Sequence, residues 1–296
     1  MKKLLFILIY SIFLSANAQV LEGYIIDSTT QEKLPYANIT LTQKNKGCTT
    51  NTSGYFTMTI DTNSEVNDSL LISFIGYTSK TIALSTALQN TPITIALTPD
   101  NQTLEEVVIT DKKLHYGTTK VMGIHTKKAT FPTSVPFGYE VATFIKNEQQ
   151  LPGHITGINL KLKYRKESEY TTYPAFFRLA FYEVNASGFP GKYLSTANII
   201  IQPDGSKNVQ INLEDYHIPL PKKGVFVAVE TINAAEEAPE NSMYVTSPNL
   251  LFTHTKTPLF YKRYRGKKWT KKKSASVFKK NQYQIPYMKI KVQYQK

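Results

Sequence analysis

The sequence predicts an all-β protein of two consecutive sandwiches, and three observations predict it. Short runs of alternating apolar and polar residues, rich in Val, Ile, Thr, Tyr and Phe, recur along the 296 residues and are punctuated by Gly, Pro, Asn and Asp. No stretch of about 12 residues keeps the 3.6-residue apolar period of an amphipathic helix; Ala234–Glu237 is read as one helical turn at most. Charge reverses sign once. Residues 19–111 hold four Lys against ten Asp or Glu, a net −6, and residues 112–296 hold 29 Lys or Arg against 12 Asp or Glu, a net +17. That reversal puts a domain boundary near residue 111. Hydrophobic residues are 41% of the chain, enough for packed cores. A single cysteine excludes an internal disulfide framework and a Cys-based zinc site.

Residues 1–18 read as an export signal: Lys2 and Lys3, an apolar run from Leu4 to Leu14, then Ala16-Asn17-Ala18 before Gln19. That run falls short of the roughly 20 residues that span a bilayer. No later run approaches that length, so no transmembrane segment is expected in the mature chain. Cys48 is too distant from the signal to anchor a lipid. The mature protein is expected to start near Gln19 and to work in the periplasm, at the outer membrane or on the cell surface.

Residues 19–111 are expected to form the first sandwich. Gly23-Tyr24-Ile25-Ile26-Asp27 is a strand, and Asp27 with Ser28 and Thr29 shapes the turn after it. Pro35 is expected to start the strand that continues through Ala37-Asn38-Ile39, at a position needing no amide donor. Gly47 to Phe56 adds a strand and a tight turn in which Gly54 takes a positive φ. Tyr55–Ile60 and Leu70–Phe74 alternate as strands, Phe74-Ile75-Gly76-Tyr77 follows, and Leu104-Glu105-Glu106-Val107-Val108-Ile109 closes the set.

These stretches, in this order, resemble the carboxypeptidase regulatory-like domain over about residues 20–110. The resemblance implies a small transthyretin-like β-sandwich of about seven strands. The Leu-Glu-Glu-Val-Val-Ile ending resembles the form in Bacteroidetes envelope proteins, including N-terminal extensions of TonB-dependent receptors. Asn51 stands where the family often has Asp, a change that preserves a turn hydrogen bond. The resemblance implies a fold and a compartment but no chemistry, because this module is the accessory domain of the carboxypeptidases. A whole receptor or a carboxypeptidase would need far more chain after Ile109, or zinc ligands. None of His115, His125, His154, His217 and His254 has metal-ligand spacing.

Residues 112–138 read as a linker and 139–296 as a larger sandwich. Its expected strands are Glu140–Ile145, Ile155–Leu162, Phe177–Val184, Val209–Leu213, Val225–Ile232 and Met288–Tyr294. Asn185-Ala186-Ser187-Gly188-Phe189-Pro190-Gly191-Lys192 is dense in turn formers. Gly224-Val225-Phe226-Val227-Ala228-Val229-Glu230 is almost continuously apolar, as a central strand covered on both faces would be. This half resembles the jelly-roll-type domains that follow the regulatory module in exported Bacteroidetes proteins, and jelly rolls often bind carbohydrate.

The sequence carries no catalytic constellation. A nucleophile elbow, a Walker loop and a dinucleotide fingerprint are absent. Asp61–Asp68 lacks the Gly and terminal Glu of a calcium loop and reads as an exposed loop. Glu236, Glu237 and Glu240 read as solvated, and Cys48 as inert. No catalytic residue, metal site or cofactor is expected, and the chain is read as no enzyme. The functional hint is the C-terminus: residues 241–296 carry 14 Lys or Arg and no acid, interleaved with aromatic residues. The segment Tyr261–Trp269 reads as a hairpin with Gly266 near its turn. Its candidate ligand-binding residues are Tyr261, Arg263, Tyr264, Arg265, Lys267, Lys268 and Trp269. They would offer charge and stacking surface to a polysaccharide or lipopolysaccharide; alternatively the rings are core and the lysines a solvated face. Nucleic acid explains the charge equally well but is not expected as a partner outside the cytoplasm. The expected function is a non-catalytic envelope scaffold or binding module. The alternatives are an exported hydrolase acting on glycans or peptides, and an accessory partner of an outer-membrane protein.

Overall fold

The computed structural model describes residues 18–100, 115–123, 131–165, 169–233, 239, 243–273, 275–276, 279 and 281–296. The expected signal through residue 17, the Leu104–Ile109 strand, the boundary at residue 111 and the Glu236, Glu237 and Glu240 cluster lie outside them. Within the described residues the chain is nearly all β, and no helix is long and apolar enough to cross a membrane.

Among the described residues, the first half has seven strands: β1 (Ala18–Asp27), β2 (Asn38–Leu41), β3 (Gly47–Thr49), β4 (Tyr55–Asp61), β5 (Ser69–Ser73), β6 (Lys80–Ala83) and β7 (Ile93–Leu97). They form two sheets, ordered β4-β1-β7 and β3-β2-β5-β6. Alternation decides their faces: Leu21 and Ile25 of β1 meet Phe56, Met58 and Ile60 of β4 in one core with Ile39, Leu70 and Ile72. Gly54 has a φ of 72°, and Asn51 Oδ1 accepts from the amides of Ser53 and Tyr55 at 2.9 and 3.0 Å. Pro35 sits in a turn three residues ahead of β2 rather than starting it. The short helix Leu84–Gln89 escapes a periodicity argument because it spans fewer than two turns.

Three acids secure the loops of this half. Asp27 accepts from the amides of Thr29 and Thr30 and from the Tyr77 hydroxyl. The Asp61–Asp68 segment keeps Asp61, Asn63, Val66 and Asn67 exposed, as a loop would, but forms a helical turn at Thr62–Glu65 and buries Glu65 and Asp68. Glu65 pairs there with Lys44 and Lys46, and Asp68 accepts from the Thr42 hydroxyl. The Tyr77 hydroxyl and the two amides hold Asp27 below its ordinary pKa. Burial pushes Glu65 and Asp68 up, but Lys46 and the Asp61 amide outweigh it for Glu65, and the Thr42 hydroxyl and the Ser69 amide for Asp68. A carboxylate held low stabilises the fold above its unfolded pKa of about 4, and that stability is lost as pH falls through the depressed folded value. Melting temperature should therefore fall on acidification below about pH 4, and Asp68→Asn should flatten that dependence.

The second half begins with β8 (Lys120–Gly123), β9 (Phe131–Thr133), β10 (Tyr139–Lys146), β11 (Gly153–Lys163), β12 (Thr172–Val184), β13 (Pro190–Tyr193), β14 (Ile199–Ile201) and β15 (Asn208–Asn212). It continues with β16 (Ile218–Leu220), β17 (Gly224–Asn233), β18 (Val245–Ser247), β19 (Asn249–Thr255), β20 (Phe260–Tyr264), β21 (Thr270–Lys271), β22 (Tyr283–Pro286) and β23 (Met288–Tyr294). One sheet runs β13-β12-β17-β10-β20-β21, with β14 and β18 on β12. The other runs β22-β19-β11-β23-β8, with β15 and β16 on β11 and β9 on β19. Residues read as linker thus supply strands: β8 pairs with β23 and β9 with β19.

The face of the first sheet opposite this core carries the first sandwich. Phe226, Ala228, Ala142, Ala180, Tyr182 and Tyr261 belong to the apolar cluster of the first half, while Val225, Val227 and Val229 face the core between the two sheets of the second half. That double coverage is why β17 is buried along almost its whole length. The four residues of β2 are buried for the same reason. Its Ile39 and Leu41 point into their own core, and Asn38 bonds to Glu230 of β17.

Candidate functional site

Strand register arranges the docked face of the second half in rows. Arg178, Glu230, Glu140 and Arg263 stand side by side on β12, β17, β10 and β20. Two residues along, Ala180, Ala228, Ala142 and Tyr261 form a row of mostly small side chains, and beyond it stand Tyr182, Phe226 and Phe144. Two carboxylates directly opposite repel, so each is paired outward with an arginine. Arg178 Nη1 meets Glu230 Oε2 at 3.0 Å, and Arg263 Nε meets Glu140 Oε2 at 2.6 Å. Tyr182 donates to the other Glu140 oxygen at 2.5 Å. Burial raises Glu140 while Arg263 pulls it back. Burial pushes the Arg263 guanidinium down, but Glu140 and the Tyr182 and Tyr193 hydroxyls hold it well above its ordinary value. Both carboxylates are committed to structure.

The Tyr261–Trp269 segment is the expected hairpin: β20 pairs with β21, and Gly266 takes a φ of 74°. Its seven candidate residues do not form one exposed face, because the first sandwich covers half of it. Tyr261 is buried between the Phe226 and Phe189 rings and donates to the Gly188 carbonyl. Arg265 is buried and donates to Asn38 Oδ1 at 2.9 Å. Trp269 makes a T-shaped contact with Tyr182, with the Arg263 guanidinium 4.6 Å over the Trp269 ring. The other four line an open groove of about 660 Å³ between the two sandwiches: Arg263, Tyr264, Lys267 and Lys268.

The groove has members the sequence did not single out. Thr42, Asn45 and Leu71 form its wall from the first sandwich, and Tyr139 and Lys262 join from β10 and β20. Lys262 lies 5.7 Å over the Tyr139 ring, and Tyr139 packs on Tyr264 at 5.1 Å. Lys267 Nζ donates to the Lys44 carbonyl at 2.6 Å and so ties the hairpin to the first sandwich. Burial lowers the Lys267 pKa, and Asp68 partly offsets it. Lys262 and Lys268 are exposed. Among the described residues, no Asp or Glu lines the groove. Alternation along β20 signals that Lys262 faces away from Tyr261. Asn45 and Thr42 carry no such signal, since they arrive from more than 200 positions away.

Cys48 sits near Arg265, and burial pushes its thiol up to about 11, against a smaller pull from that charge. Among the described residues, no group of three or more His, Cys, Asp or Glu can hold a metal ion.

Comparison with known proteins addresses the first half. A stretch of 106 residues, 36% of this chain, is 34% identical to a TonB-dependent receptor of Formosa agariphila and spans 9% of that receptor's length. Residues 21–109 match the family model of the CarboxypepD_reg-like domain, a non-catalytic module, in agreement with the resemblance read from the strand and turn motifs.

Proposed function

We propose that this chain is a non-catalytic binding and scaffold module of the cell envelope, exported by its N-terminal signal, and that its groove binds an anionic envelope polymer. The groove carries the reading: Lys262, Lys267 and Lys268 converge on one open cavity whose described lining holds no carboxylate, and the Arg263 charge beside them is matched by Glu140. Aligned cations with low-dielectric walls concentrate counter-charge. The match of the first half to a module also present in a TonB-dependent receptor supports the envelope location and makes an outer-membrane protein a second partner to test by copurification. The catalytic reading gains nothing from Glu140 and Glu230, which are buried and both neutralised by arginine.

Heparin serves as a polyanion probe and dextran as its neutral counterpart. The mature chain should bind heparin and not dextran at about 0.15 M salt, where the screening length is about 8 Å. Lys268→Glu should weaken heparin binding about tenfold, read by isothermal titration calorimetry. Equal binding by wild type and variant would overturn the assignment of the groove.

A further inference from the structure

The groove does not end at β20. Lys262 and Thr270 face each other across the β20–β21 pair, and beyond them opens a second cavity of about 550 Å³. Lys271 and Lys272 bring charge to it, Phe252 and Phe260 apolar surface, and Gln284 an amide. Tyr139, Lys262 and Thr270 line both cavities, so the two adjoin across a single cationic divider. Among the described residues, no Asp or Glu lines either one. Asp68, the acid behind the Thr42 wall, is occupied by the Thr42 hydroxyl and the amides of Thr42, Gln43 and Ser69. Several of the cations lie over rings, Lys262 over Tyr139 and Lys271 over Tyr261 at 5.7 and 5.3 Å. A charge held over a ring is partly positioned before any ligand arrives.

One small anion fills one cavity and leaves the other idle. Two adjoining cavities with cations in both, and on the divider, suit a chain that repeats its charge. The uncharged polar lining is hydroxyl and amide, at Thr42, Asn45, Thr133, Thr270 and Gln284. These groups donate and accept as sugar hydroxyls do, and the rings beside them give flat surface for a sugar face.

We infer that the two cavities form one track for a linear acidic polysaccharide, with one segment in the groove, the next in the second cavity, and the chain crossing over Lys262. This rests on the reading that the groove binds an anionic polymer, and adds the length and the sugar character of that polymer.

Size-fractionated heparin tests it on the mature chain, with melting curves to confirm that each variant is folded. A dodecasaccharide should bind at least about tenfold tighter than a tetrasaccharide, because its second segment binds at high effective concentration. Lys271→Glu/Lys272→Glu should bring the dodecasaccharide down to the tetrasaccharide's affinity. Equal affinity for both lengths, with Lys268→Glu still weakening both, would overturn the track and leave the groove reading standing. Failure of every heparin length to bind would overturn the groove reading itself. Displacement of the dodecasaccharide by single-stranded DNA of equal charge at lower concentration would overturn the polysaccharide assignment.

Discussion

Arg178→Met should destabilise the folded chain by about 3–5 kcal/mol, the cost of leaving one half of a buried ion pair without its partner. Arg178 and Glu230 are 4% and 5% exposed, which excludes the water that makes surface pairs nearly neutral. Glu230 has one neutral donor in reserve, Asn38 Nδ2 at 2.8 Å. Its cross-strand neighbour is another carboxylate, Glu140. The variant therefore leaves two buried acids side by side and keeps, of the two arginines that pair with them, Arg263 on Glu140. Arg178 also donates to the Tyr36 carbonyl of the first sandwich, so the same change removes a tie between the halves. Chemical denaturation should show a lower midpoint. Arg178→Met/Glu230→Met should recover much of the loss, because the charge needing compensation is gone. If the double variant were as unstable as the sum of the two single ones, the pair would not be the source of the cost.

Phe226→Ala should cost about 3–5 kcal/mol and act first on the junction between the halves. Phe226 is 1% exposed and packs on the Phe144 and Tyr261 rings at 5.2 and 4.8 Å. It faces the first sandwich, whereas its neighbours Val225 and Val227 face the second half's own core. The lone tryptophan of the chain, Trp269, stands at that junction against Tyr182 and is a built-in reporter. In Phe226→Ala the Trp269 fluorescence transition should precede the loss of far-UV circular dichroism, and in wild type the two should coincide. Val227→Ala, on the opposite face of the same strand, should lower both together. Separation of the two signals in Val227→Ala as well would show that face does not decide the outcome.

Much of this architecture is legible in local chemistry. The turns at Asp27, Asn51 and Gly54 follow from side-chain oxygens beside free amides and from the one residue that takes a positive φ without cost. The unbroken apolar run of β17 announces a strand covered twice, and the structure shows what covers it. The Tyr261–Trp269 hairpin is equally legible, down to Gly266 at its turn. What alternation cannot say is what lies against each face. A period of two tells which side chains share a side of a strand. It does not tell whether that side meets water, a second sheet or another sandwich.

The seven residues singled out on the hairpin divide along that line. Arg263 and Arg265 look in sequence like solvent charges, yet they enter the interior because Glu140 and Asn38 meet them there, from 123 and 227 positions away. Lys262 and Lys268 look the same and remain in the groove. Local patterning, turn chemistry and charge are enough to read the all-β class, the regulatory-like sandwich of residues 21–109 and the gathering of positive charge in the last residues. Which of those charges hold the two sandwiches together and which are left facing the groove depends on packing between strands far apart in the chain. The reason is that desolvating a charge requires a partner, and the partners are brought by strand register and docking, neither of which is written in the residues that carry the charge.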